Sequence, residues 1–81
     1  MKYNIKYEKA CLKYLKKLDR NTQLRIIKSI NQLPSGDVKK LQGKAEDYRL
    51  RVGKYRIVYM YENEQTIKII KIDTRGDIYK D

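Results

Sequence analysis

Tyr3, Ile5 and Tyr7 alternate with Lys2, Asn4 and Lys6, the period of two that marks a strand with one buried face. From Glu8 the period lengthens. Cys11, Tyr14, Leu15 and Leu18 fall on one helical stripe, and Lys9, Lys13, Lys16, Lys17 and Arg20 take the remaining surface, so an amphipathic helix with a basic outer side is expected. The stretch Asp19-Arg20-Asn21-Thr22 supplies turn and capping side chains. Leu24, Ile27, Ile30 and Leu33 then resume the helical spacing until Pro34-Ser35-Gly36-Asp37 breaks it. Two antiparallel helices joined by a short turn follow.

After a polar stretch, Tyr48, Leu50 and Val52 alternate with Arg49 and Arg51, and Tyr55 to Met60 reads as a second strand beyond Gly53-Lys54. A Gly-X dipeptide suits a type II′ two-residue hairpin turn. Glu62-Asn63-Glu64-Gln65 makes another polar turn, and Thr66 to Ile72 is an isoleucine-rich strand, apolar on both faces near Ile69-Ile70, which places it inside the sheet. The order is β-α-α-β-β-β with a short tail. This is an α+β layout in which an N-terminal helical hairpin covers one face of an antiparallel sheet. Residues 1–81 are expected to form one domain, because a chain of 81 residues has no material for a second core.

Composition narrows the chemistry. Twenty Lys+Arg against ten Asp+Glu give a net charge of +10, which favours a polyanionic partner through steering and counterion release. The charge is polarised: residues 1–60 hold 16 of the 20 Lys+Arg but 5 of the 10 Asp+Glu, so one surface is expected to be committed to an anion. Histidine is absent and Cys11 is the only cysteine, which excludes an intrachain disulfide and the usual soft zinc sites. No apolar run approaches the roughly 18 residues needed to span a bilayer, and the first residues lack the apolar core of a secretion signal. A cytoplasmic location and no cofactor are expected.

With Gly53-Lys54 as a two-residue loop, hairpin geometry pairs Val52 with Tyr55, Arg51 with Arg56, Leu50 with Ile57, and Arg49 with Val58. Two arginines then face each other, with Arg49 as a third cation on the same side. Like charges directly opposite are destabilising by an amount of the order of 0.2–1 kcal/mol. Either an anion binds there, or the guanidiniums splay into solvent and pair with Glu46 and Asp47. The segment Asp73-Thr74-Arg75-Gly76-Asp77-Ile78-Tyr79 follows the last strand and can fold back over the same side.

Taken with the order of elements, Lys40-Leu41-Gln42-Gly43, the hairpin from Tyr48 to Tyr59 and the ending Arg75-Gly76-Asp77-Ile78-Tyr79 resemble the RelE/ParE toxin superfamily over essentially the whole chain. The most specific part is the Y-R-x-V-Y strand, Tyr55 to Tyr59, followed by the R-x-D-x-Y ending. The resemblance implies a RelE-like toxin of a type II toxin–antitoxin system: a ribosome-dependent endoribonuclease that cleaves messenger RNA by attack of the substrate's 2′-hydroxyl on the adjacent phosphate, neutralised by a cognate antitoxin protein. By position, Arg56 matches the phosphate-clamping arginine. Arg49 and Arg51 fall where RelE enzymes often have lysines, Arg75 matches the arginine that protonates the leaving oxygen, and Tyr79 matches the tyrosine that stacks on a base. Lys13, Lys16, Lys17, Lys44 and Lys54 are the candidate RNA contacts.

The chain departs from the family pattern in its shorter hairpin turn and in Gln42, where several relatives are basic. Arginine, with a pKa above about 12, is also a poor general base, which leaves proton abstraction to Lys54, Glu46 or Asp47, or to no discrete base. Two other readings keep the fold: a ParE-type inhibitor of DNA gyrase, and a non-catalytic basic module that binds nucleic acid. The combination of Arg49, Arg51, Arg56, Arg75 and Tyr79 favours RNA cleavage.

Overall fold

The computed structural model describes residues 2–43 and 46–74. Seven elements follow in order: β1 (Asn4–Tyr7), α1 (Lys9–Lys16), α2 (Arg20–Asn31), β2 (Val38–Lys40), β3 (Asp47–Val52), β4 (Tyr55–Asn63) and β5 (Thr66–Thr74). The strands form one five-stranded sheet in the order β1-β5-β4-β3-β2. Among the described residues no helix is long and apolar enough to cross a membrane.

The α+β layout agrees with the sequence pattern, with two refinements. A short strand, β2, is added at the far edge, where Val38, Lys39 and Lys40 pair antiparallel with Leu50, Arg49 and Tyr48. Three residues with one apolar side chain are too short to show an alternation. The sheet is also mixed, because β1 runs parallel to β5, from Asn4 opposite Thr66 to Tyr7 opposite Ile69. A parallel pair needs a long connection, and the helical hairpin with the three intervening strands provides it.

The helical hairpin forms where capping chemistry allows it. Asp19 closes the start of α2: its carboxylate accepts from the Thr22 backbone N–H at 3.2 Å and from the Thr22 hydroxyl at 2.6 Å. α1 lacks a side-chain cap and is tethered through Glu8, whose N–H donates to the Ile69 carbonyl at 3.0 Å. Cys11 and Leu15 from α1 and Ile26, Ile30 and Leu33 from the α2 segment pack on Leu50, Val52, Ile57, Tyr59, Ile67, Ile69 and Ile72. One expectation fails here. Leu24 is 54% exposed and Ile26 is fully buried, because the stripe facing the sheet runs through Ile26, Ile30 and Leu33, and that orientation turns Leu24 outward.

The double apolar character of β5 has a structural cause. Val58 pairs with Lys71 but Tyr59 pairs with Ile69, so Ile70 is an extra residue in β5. A bulge of this kind reverses the alternation and lets Ile69 and Ile72 both face the helices. The hairpin turn is as expected: Gly53 has φ 59°, and no non-glycine residue among those described has a positive φ, the II′ pattern and not the I′ pattern. Tyr3, just before β1, Tyr48 of β3 and Tyr59 and Tyr61 of β4 form a ring cluster with neighbouring centroids 5.5–5.9 Å apart, and burial raises the Tyr59 phenol above its ordinary range.

Two outcomes test this description. Gly53→Ala places a Cβ at a positive φ, 2.9 Å from the movable Arg25 guanidinium, and should destabilise the protein by about 1–2 kcal/mol in urea unfolding. Asp19 and Glu62 both have lowered carboxyl pKa values, the first through its hydrogen bonds from Thr22 and the second through that from Lys6. Groups depressed in the folded state contribute stability above their unfolded pKa and lose it as pH falls through the folded value. The melting temperature should therefore fall on acidification below the ordinary carboxylate range, and Asp19→Asn together with Glu62→Gln should flatten that fall.

Candidate phosphate-binding face

The sheet face turned away from the helices carries the cations, and strand register puts them there. Leu50 and Val52 face the core, so the alternate positions Arg49 and Arg51 face outward. Across the hairpin, Arg51 lies opposite Arg56, Arg49 opposite Val58, Leu50 opposite Ile57 and Val52 opposite Tyr55, as the two-residue turn requires. Extending the rows across the sheet gives two lines of side chains on this face. One runs Arg51, Arg56, Asp73; the other runs Lys39, Arg49, Val58, Lys71. Val58 is outside the helix-facing core yet only 6% exposed, so the stems of the surrounding long side chains cover it.

An open depression of about 280 Å³ lies over this face, lined by Lys39, Lys40, Leu41, Gln42, Arg49, Arg51 and Arg56. Two carboxylates border the cations. Arg49 Nη1 donates to the Asp37 carbonyl at 3.1 Å and to Asp37 Oδ1 at 3.2 Å, and Arg51 Nη1 lies 3.8 Å from Asp37 Oδ2. Asp37 is held in place because its carbonyl also accepts the Arg51 backbone N–H at 3.0 Å. On the other side Asp73 lies 3.8 Å from Arg56 Nε and 3.6 Å from Lys71 Nζ. Cations still outnumber carboxylates on the face, and the Arg49 and Arg56 side chains are only 12% and 20% exposed. Partly buried guanidiniums interact with an anion more strongly than solvated ones do.

Arg49, Arg51 and Arg56 are thus brought together. Arg75, Tyr79 and Lys44 lie outside the described residues. Lys13 and Lys16 of α1 and its C-cap Lys17 are exposed on the opposite side of the sheet. The Lys54 amine lies 5.6 Å from the Tyr55 ring centroid, and that ring packs edge-on against Tyr14 of α1, which directs Lys54 away from the arginines. The ion pairs of the arginines go to Asp37 and Asp73, whereas Glu46 pairs with Lys40 at 3.2 Å and Asp47, opposite Met60, shares the outward face of β3 with Arg49. Lys39, Lys71, Asp37 and Asp73 were not foreseen as site residues. Lys39 becomes visible only through the pairing of β2 with β3, whereas the alternation of Lys71 and Asp73 on one strand was a usable signal.

Comparison with known proteins was consistent with this geometry. Residues 5–79 match the family described as ParE toxin of type II toxin–antitoxin system, parDE. The chain is 35% identical over 88 residues to a curated relative from Methanocaldococcus jannaschii named as a RelE1 toxin, covering 99% of this chain and 98% of the relative. It superposes on an archaeal RelE–RelB complex from Pyrococcus horikoshii with a TM-score of 0.76 at 31% identity, over 94% of this chain and 98% of the other. The toxin–antitoxin complex RelBE2 of Mycobacterium tuberculosis shares the fold, with a TM-score of 0.77 at 22% identity, over 93% and 100% of the two chains. With the sequence matched nearly end to end and the same sheet and helical hairpin, the chain belongs to the ParE toxin family and is a RelE-like toxin of a type II toxin–antitoxin system.

Proposed function

We propose that this toxin, acting as a single domain over residues 1–81 in the cytoplasm, is a ribosome-dependent endoribonuclease that cleaves messenger RNA. The observation that carries this reading is the row formed by Arg51 and Arg56, flanked by Arg49 and Lys39, on a sheet face that neither helix of the described residues covers. In the proposed reaction the substrate's 2′-hydroxyl loses its proton and attacks the adjacent phosphorus. The bond to the 5′-oxygen breaks, leaving a cyclic phosphate and a 5′-hydroxyl. Charge builds up on the phosphoryl oxygens as the fifth bond forms, and fixed cations stabilise that state more than the ground state. DNA lacks the attacking hydroxyl and is not a substrate.

Arg56 is assigned to the phosphoryl oxygens, with Arg49 and Arg51 stabilising the developing negative charge, Arg75 protonating the leaving oxygen and Tyr79 stacking on a base. Lys13, Lys16, Lys17, Lys44 and Lys54 are assigned to contacts with RNA phosphates of the ribosome and message. A cognate antitoxin is the second partner, in line with the RelB-bound state of the solved relatives. A ParE-type action on DNA gyrase is the competing reading, favoured by the description of the matched family. It requires no phosphate-cleaving cluster.

Mapping message 5′ ends by primer extension in a translating extract, with gyrase supercoiling measured in parallel, separates the two. New 5′ ends with unimpaired supercoiling are expected; the reverse outcome transfers the target to gyrase. Arg56→Ala should keep the fold and lower cleavage at least about a hundredfold, the scale for losing one electrostatic donor. Antitoxin association should slow as salt rises from low to physiological ionic strength, because exposed charges steer encounter only while unscreened. A salt-independent association rate would remove charge from the account of neutralisation.

A further inference from the structure

We propose that Asp73 is a positioning residue, one that orients Arg56 so that its terminal nitrogens face the depression where the phosphate binds. The inference rests on the ribonuclease reading. A guanidinium presents two forks, one that includes Nε and one formed by the two terminal nitrogens, and each can grip an oxyanion. Arg56 meets its carboxylate on the Nε side, where Asp73 Oδ1 lies at 3.8 Å. Arg49 and Arg51 meet theirs through a terminal nitrogen, Nη1 in both cases, shared by Asp37. Among the described residues, Arg56 is therefore the arginine of this row whose terminal fork no carboxylate occupies, and it lines the depression.

The register supplies the restraint. Arg56 stands between Arg51 on one neighbouring strand and Asp73 on the other, so repulsion from one side and attraction from the other act along the same line. Asp73 is itself held: its second oxygen lies 3.6 Å from Lys71 Nζ, and its side chain is 17% exposed. Both Arg56 Nε and Asp73 Oδ1 are shielded from solvent without a hydrogen bond. At 3.8 Å the contact is an ion pair beyond hydrogen-bond length, and with both atoms shielded from solvent the pair orients the guanidinium. Shielded charge of this kind is weak evidence of a stabilising role, whereas orientation of a phosphate clamp gives it a use.

The test compares wild type, Asp73→Asn and Asp73→Glu. Single-turnover cleavage on ribosome complexes assembled with message should fall about tenfold to a hundredfold in Asp73→Asn, the scale for a misplaced reacting group, while RNA affinity holds or rises because a negative charge has gone. Asp73→Glu, which keeps the charge, should recover part of the rate. In the free toxin the Arg56 Nε–H signal should be distinct in the ¹⁵N spectrum of wild type and should merge with the solvated arginines in Asp73→Asn, with the backbone amide spectrum unchanged. Cleavage by Asp73→Asn at the wild-type rate, an unaltered Nε–H signal, or a rate loss matched by loss of RNA affinity and amide dispersion would overturn the proposal. If wild type does not cut RNA but the Nε–H signal still depends on Asp73, the ribonuclease reading falls and the positioning of Arg56 stands.

Discussion

The site depends on the two-residue turn at Gly53-Lys54, because the side-chain period of a strand is two and a loop one residue longer would send every later side chain of β4 to the opposite face. The positive φ of Gly53 closes the turn in the II′ form that matches strand twist. Leu50 and Ile57 then meet on the helix side while Arg51 and Arg56 meet on the other. Burial of the first pair, both 2% exposed or less, holds the second pair in register despite its repulsion. Hydrophobic burial is worth about 25 cal/mol per Å², so the burial of Leu50 and Ile57 outweighs the repulsion of two partly solvated cations.

The same constraint explains why the basic face needs carboxylates from elsewhere in the chain. The hairpin concentrates Arg49, Arg51 and Arg56 but supplies no acid to their centre. Asp37 arrives from the segment between α2 and β2, and Asp73 from the end of β5. Each borders the cluster from a different side and leaves a net positive face. The two acids restrain the guanidiniums without neutralising them, an arrangement suited to receiving an anion and costly to leave without any counter-charge.

The lysines of α1 belong to a different surface. The sheet separates Lys13, Lys16 and Lys17 from the arginine row, so the toxin presents cations on both faces. On the ribonuclease reading the arginine face does the chemistry and the helix face adds long-range attraction to RNA, which falls off within about a Debye length in salt.

Local pattern alone determined much of this protein. The alternation around Leu50 and Val52, the Gly-X turn and the capping residues near Asp19 settled the helical hairpin, the β3–β4 register and the facing arginines, since each of these is a matter of near neighbours along the chain. The whole-chain pattern also carried the resemblance to the toxin superfamily. Only the tertiary structure decided that β1 lies parallel to β5, that Lys39 stands opposite Arg49, that Ile70 is bulged, that Ile26 and not Leu24 faces the sheet, and that Asp37 and Asp73 border the arginines. Each of these depends on contacts between segments far apart in sequence or on the rotation of a helix against a sheet. Such arrangements are chosen by packing of the whole core, and no local period encodes them.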